Sequence, residues 1–159
     1  MKEEEFAEAV KKNMNEFYRY ALALTKNVAD AQDAVSEAVL RAYEHKYALK
    51  DATKFKIWMT RILTNTTRTM MKKQERVVPV ENVYEKGEPV IEQDDDSEEM
   101  WEMVLKLDRE YREVALLYYY AEFSLKDISK ILWLPVGTVK SRLARAREQL
   151  KELVDTSDQ

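Results

Sequence analysis

Arg61, Asn65, Arg68 and Lys72 recur at i, i+4, i+7 and i+11, so a helix would stack them in one stripe, with Lys54, Lys56 and Lys73 beside it. Such a stripe suits nucleic acid. Lysine and arginine neutralise phosphates, and an asparagine amide can read a base edge. The plain alternative is a solvated cationic face. Phe55 and Trp58 on the same segment could stack on unpaired bases, but their helical spacing with Ile62 favours core packing.

A second group lies near the C-terminus. Between Val136 and Val154 the apolar residues Val139, Leu143, Ala146 and Leu150 share one helical side. Ser141, Ala144 and Arg145 face away, with Lys140, Arg142 and Arg147 on the flanks. Lys140 and Arg145 have the reach and donors to serve guanine acceptors in a major groove. Ala144 leaves room there or touches a thymine methyl. Gly137 has no side chain in the first turn, which lets a helix N-terminus approach a phosphate closely.

Enzymatic chemistry has little to work with. One histidine (His45), no cysteine and two glycines leave no P-loop, no zinc site and no plausible triad. No cofactor or metal is expected, and the Asp94–Asp96 run reads as solvated rather than metal-binding.

The elements that must carry these side chains are helices. Only five of 159 residues are Gly or Pro, where ordinary usage would give about nineteen. They cluster at Pro79, Gly87 and Pro89, and at Pro135 and Gly137. Long runs without breakers exclude sandwiches, barrels and βαβ folds. The expected fold is all-α, with two small helical domains, 1–76 and 98–159, joined by an acidic flexible linker at 77–97. No apolar run approaches 18 residues and the N-terminus does not read as a signal peptide, so a soluble cytoplasmic protein without membrane insertion is expected.

The net charge of −4 argues against nucleic acid only when taken whole. Residues 81–102 hold ten acidic residues and one lysine; the rest of the chain carries 25 basic and 20 acidic residues, a net of +5. Two basic segments therefore flank an acidic one, whose charge serves solvation or mimics nucleic acid along a basic channel of a partner.

In the first half, a helix is expected from Glu3 to Thr25. Asn27 is an N-cap with Asp30 in a capping-box-like position. Val28, Ala31, Val35, Val39 and Ala42 form the apolar face of the next helix, and Asp30, Asp33, Glu37 and Arg41 its opposite, solvated face. Residues 45–53 read as a loop ending at Thr53 as a cap. A helix over 54–76 follows, with Phe55, Trp58, Met59, Ile62, Thr66 and Met70 on its apolar side. In the second half, Met100, Val104, Leu107, Val114, Leu117 and Tyr118 suggest two apolar-faced helices broken near Asp108. Ser124 to Asp127 is a capping box opening a short helix with Leu125, Ile128 and Leu132 inward. A Trp133-Leu134-Pro135 turn then leads into the long basic helix, making a helix-turn-helix.

These motifs carry a resemblance. VGTVKSRLARAREQL at 136–150, behind its Leu-Pro turn, resembles region 4 of the extracytoplasmic-function (ECF) sigma factors, the small two-domain members of the bacterial sigma-70 family. FYRYALALTKN (17–27) and DAQDAVSEAVLRAY (30–43) resemble regions 2.1 and 2.2, and FKIWMTRILTN (55–65) resembles regions 2.3 and 2.4. Two motifs in the right order and at the right separation are more specific than either alone.

The resemblance implies a promoter-specificity factor. Region 2 would dock on the clamp coiled coil of RNA polymerase β′ through Asp30, Asp33, Glu37 and Arg41, replacing the solvated-face reading of that patch. It would melt the −10 element and capture a flipped base in the 45–54 loop, with Lys50, Lys54, Lys56, Arg61, Asn65, Arg68 and Lys72 gripping the single strand. Region 4 would bind the β flap and read the −35 duplex through Gly137, Thr138, Lys140, Ser141, Arg142 and Arg145. The linker would occupy the RNA exit channel region. An anti-sigma factor, often membrane-bound, is a further implied partner. The rival reading is a helix-turn-helix regulator that binds DNA without polymerase.

Trp133 and Glu122 stand where relatives place glycine. A bulky residue in a left-handed turn is costly, so either the turn is reshaped or Trp133 covers a hydrophobic gap. Ala34 and Val39 replace larger residues in region 2.2, and Thr69 replaces an aspartate in region 2.4.

Overall fold

The computed structural model describes residues 1–75 and 95–157. The linker expected at 77–97 lies outside these residues except for its last three, which already belong to a helix. Among the described residues there is no strand and no helix long and apolar enough to cross a membrane. The chain divides into two compact units, Met1–Glu88 and Pro89–Gln159.

The first unit is built from α1 (Glu3–Thr25), α2 (Val28–Glu44) and α3 (Phe55–Glu75), each packed on the other two. Phe6, Phe17, Leu24, Phe55, Met59 and Leu63 fill its interior. Phe6 meets Tyr43 and Phe55 edge-on, at 5.8 and 6.0 Å between ring centroids. Burial of Phe55 removes it as a stacking platform for bases, whereas Trp58 stays half-buried beside it. The seam along α2 is made of small residues: Ala31, Ala34, Ala38 and Ala42 are fully buried, as are Ala21 and Ala23 on α1.

The inward face of α3 is more polar than its apolar spacing implies. Thr60, Thr64, Thr66 and Thr67 are buried with Met59 and Leu63. Thr64, Thr66 and Thr67 donate their hydroxyls to carbonyls one turn back, at Thr60, Ile62 and Thr64, each at 2.8 Å. With the Thr64 proton so committed, the buried Tyr20 hydroxyl donates to Thr64 Oγ1 at 2.8 Å. The hydroxyls of Tyr20, Thr64, Thr66 and Thr67 are thus satisfied without water.

Between α2 and α3 the chain forms two short 3-10 turns, Lys46–Ala48 and Ala52–Lys54, rather than an open loop. The cap ahead of α3 is Asp51, not Thr53: the Asp51 carboxylate accepts from the Thr53 amide at 3.0 Å and the Thr53 hydroxyl at 2.6 Å. Asn27 caps α2 as expected, accepting from the Asp30 amide at 3.0 Å. The reciprocal half of that box is absent, because the Asn27 amide donates to Thr25 Oγ1 at 3.4 Å instead.

The second unit comprises α4 (Asp95–Leu105), α5 (Arg109–Ala115), a π-helical turn at Leu116–Tyr120, α6 (Leu125–Leu132) and α7 (Val136–Ser157). α4, α5 and α6 pack on α7, whose Val139, Leu143, Ala146 and Leu150 are buried as their spacing requires. Met100, expected on the apolar face of α4, is 45% exposed. Arg112, 5% exposed, donates to the Leu105 and Leu107 carbonyls and so closes the C-terminal end of α4. Ser124 accepts from the Asp127 amide at 3.1 Å, the cap expected for α6.

Among the described residues, three that are not glycine have positive φ: Lys26 (56°), Glu122 (57°) and Trp133 (55°). The last two are the positions where the resemblance implies glycine. The turns keep their left-handed geometry and absorb a steric cost of roughly 1–2 kcal/mol each. Trp133 covers no gap either, being 82% exposed. Both expectations raised for it are therefore overturned.

Candidate nucleic-acid interfaces

The recognition candidates on α7 are set by its cap and its buried stripe. The Pro135 carbonyl accepts from the Thr138 and Val139 amides at 3.0 and 3.1 Å, which starts the helix there. Burial of Val139 and Leu143 turns the intervening residues outward. Gly137, Lys140, Ser141 and Arg145 are exposed; Thr138 and Arg142 are half-buried. A Cβ added to Gly137 would meet nothing within 4 Å, so internal packing does not require glycine there.

Three of these side chains have partners of their own. Ser141 donates to the Gly137 carbonyl at 3.0 Å. Arg142 reaches Glu110 at 3.7 Å, tying α7 to α5. Arg145 donates to Glu148 at 2.8 Å, with about half of each side chain exposed. The hydrogen bond to Glu148 raises the Arg145 pKa further above its already high value, so the cation is permanent. Arg147, expected on a flank of this face, is tied elsewhere: it donates to the Tyr119 hydroxyl at 2.7 Å and lies near the Tyr118 and Tyr119 rings.

In the first unit, Asn65 and Lys72 of the α3 stripe are exposed, while Arg61 and Arg68 are half-buried. Lys56 pairs with Glu16 of α1 at 3.0 Å, which the spacing on α3 does not reveal. Lys50 and Lys54 are exposed on the segment leading into α3. That segment is pinned from below. The Met1 ammonium donates to the Lys46 and Leu49 carbonyls, each at 2.8 Å. Lys46 is 5% exposed, its Nζ 3.7 Å from the Tyr43 ring centroid and 4.5 Å from that of Tyr47. Sequence reasoning missed both the Lys46 anchor and the Asp51 cap. The second had a local signal, an Asp two residues before a Thr; the first is a long-range placement with none.

On α2, Asp33, Glu37 and Arg41 are exposed and Asp30 is half-buried. Arg41 donates to Glu37 at 2.7 Å, an i,i+4 surface pair. Of the four, Asp33 and Glu37 point furthest from the buried alanines, while Asp30 and Arg41 border the alanine seam.

Asp51 gives this region an acid sensitivity. Its two bonds from Thr53 hold the carboxyl pKa below the ordinary 3.8. A depressed carboxylate pKa contributes stability that is fully present above the unfolded-state value and is lost as pH falls through the folded one. The protection of the Thr53 amide, its exchange corrected for intrinsic chemistry, is therefore expected to hold at neutral pH and to fall below pH 3.8, a change that Asp51→Ala should abolish. A Thr53 amide whose exchange, corrected for intrinsic chemistry, follows the same pH course in both chains would contradict this.

Comparison with known proteins gives these surfaces a common frame. Residues 9–77 match the family model for sigma-70 region 2, and residues 97–150 that for sigma-70 region 4. The chain is 33% identical over 163 residues to the ECF RNA polymerase sigma factor SigW of Bacillus subtilis, covering 92% of this chain and 87% of that one. It is 30% identical to SigM of the same organism, over 88% and 89% of the two chains. Among solved structures it is similar to the sigma factor RpoE of Bartonella quintana, crystallised with the anti-sigma factor NepR, with a TM-score of 0.80, 25% identity and coverage of 94% and 96%. The chain belongs to the sigma-70 family, as an ECF RNA polymerase sigma factor. It directs core polymerase to promoters at transcription initiation.

Proposed function

We propose that the two units divide promoter recognition between them, with 1–76 acting as region 2, 98–159 as region 4 and 77–97 as the connection. Core polymerase docks on Asp30, Asp33, Glu37 and Arg41 through the β′ clamp coiled coil, and on region 4 through the β flap. The melted −10 strand is held along Lys50, Lys54, Lys56, Arg61, Asn65, Arg68 and Lys72. The −35 duplex is read by Gly137, Thr138, Lys140, Ser141, Arg142 and Arg145. The chain works in the cytoplasm as a specificity subunit, and melting draws on binding energy without hydrolysis by this chain.

The observation that best supports this reading is on α7. One side is sealed by Val139, Leu143, Ala146 and Leu150, while Lys140 and Arg145 stand exposed on a helix that follows a tight turn. That is the geometry of a helix presented to a major groove. The relation to the RpoE–NepR structure supports an anti-sigma factor as a regulatory partner.

The test is run-off transcription with purified core polymerase and the full chain across the producer's genomic DNA. Start-site-specific transcripts and co-elution of the chain with core are expected. Binding to promoter duplex without either result would sink the proposal in favour of a polymerase-independent regulator.

A further inference from the structure

The left-handed residue of the helix-turn-helix turn is a tryptophan with φ 55° and ψ 52°, and 82% of its surface is exposed. A bulky residue in this region is a backbone outlier. The frame around it enforces the conformation. The Trp133 and Leu134 amides both donate to the Ser129 carbonyl, and the Ser129 hydroxyl donates to the Leu134 carbonyl. The core closes beneath the turn through Ile128, Ile131 and Leu132, without the indole. Strain of this kind occurs at recognition positions; Lys26 and Glu122 share the exposed left-handed backbone, but only Trp133 puts an apolar ring on it.

The surroundings say what is recognised. Trp133 lies three residues before the first residue of α7, so chain length alone keeps it within about 10 Å of that helix N-terminus. Pro135, Val136 and Gly137 beside it are exposed. No acidic residue occurs between Asp127 and Glu148, while Lys130, Lys140, Arg142, Arg145 and Arg147 do. An apolar ring in a stretch of purely cationic charge matches a polyanion with apolar sugars.

We infer that Trp133 is a further contact to the −35 duplex, laying its indole on the sugar–phosphate backbone beside the N-terminus of α7 and donating Nε1–H to a phosphate oxygen. The inference rests on reading α7 as the duplex-binding helix. The indole N–H is a donor only, which suits a phosphate. Backbone contacts position a protein without specifying sequence. A neutral ring also releases no counterion. Loss of this contact therefore has its own signature: weaker binding at every sequence, with the salt dependence unchanged.

The experiment uses holoenzyme made from core polymerase and the full chain, as wild type, Trp133→Gly, Trp133→Phe or Arg145→Ala. The probe is a labelled upstream duplex enriched by wild-type holoenzyme from a randomised pool, with a scrambled duplex as reference. Affinities are taken across a salt series, and each free chain is melted. Trp133→Gly should melt a few degrees higher, since glycine accepts the left-handed backbone. It should nevertheless bind both duplexes about 5- to 10-fold more weakly, with an unchanged salt slope, and Trp133→Phe should fall between. Unchanged or tighter binding by Trp133→Gly, while Arg145→Ala weakens it, would overturn the inference alone; reduced assembly with core in that variant would reassign the indole to a protein partner. A lower melting temperature would mark Trp133 as structural and overturn it equally. Failure to enrich any duplex, or an Arg145→Ala chain that binds as wild type, would remove the reading of α7 and this inference with it.

Discussion

Arg145→Ala is expected to weaken −35 binding by about 1–3 kcal/mol and to relax preference at one base pair. The guanidinium is exposed on the outer face of α7 and bonded to Glu148 at 2.8 Å. An exposed pair of this kind contributes little, because water screens it, so a guanine can displace Glu148 at little cost. The same argument makes Glu148→Ala a control with the opposite sign: binding is unchanged or tighter, because a competing acceptor and a negative charge are both gone. Holoenzyme affinities for duplexes permuted at each −35 position decide the matter. A base contact loses discrimination at one position, whereas a phosphate contact loses affinity uniformly and lowers the salt slope by about one. Retained affinity and retained discrimination in Arg145→Ala would remove this residue from the interface.

Leu63→Ala should produce the largest single loss, about 2–5 kcal/mol. Leu63 is fully buried on α3, and α3 meets both other helices of its unit. A unit of about 75 residues has on the order of 4–11 kcal/mol in total, so the variant forfeits a large share. Core polymerase binding and −10 melting should fail together at physiological temperature, although Leu63 touches neither surface. Leu63→Met, which conserves volume, should cost under about 1.5 kcal/mol and retain function. Thermal melts followed by circular dichroism supply the readout, and a Leu63→Ala transition within 1–2 °C of wild type would contradict the assignment.

The helices were legible because their signals are local. Asn27 and Ser124 announce caps, and the Val139, Leu143, Ala146 and Leu150 spacing announces the buried side of α7. The lack of breakers announces an all-helical chain. The left-handed backbone at Glu122 and Trp133 was not read: the steric cost pointed to a reshaped turn or a covered gap, and the turns keep their geometry with Trp133 exposed. What could not be read depends on contacts between elements. Thr60, Thr64 and Thr67 look polar in sequence but are buried, since a threonine hydroxyl can return to its own helix while its methyl packs inward. Leu63 escaped the apolar side of α3 for a related reason: the buried face is wider than one stripe. The partners Glu16 for Lys56, Glu110 for Arg142 and Tyr119 for Arg147 come from other segments. The π-helical turn at Leu116–Tyr120 has no sequence signature of its own, and Asp51 outcompeted Thr53 because both are cap-forming residues.

The alanine seam on α2 has a consequence for how this protein can diversify. Ala31, Ala34, Ala38 and Ala42 have no exposed surface, so any larger side chain there must push helices apart, at typically 1–3 kcal/mol. Change along the seam is blocked toward larger residues, and toward glycine by the loss of helix propensity. The outer faces of α2 and α3 carry no such restriction, because exposed substitutions away from special features usually stay within about 0.5 kcal/mol. Mutational freedom is therefore concentrated on the surfaces proposed above to meet polymerase and promoter. A new promoter preference can arise there by single steps while the interior stays as it is.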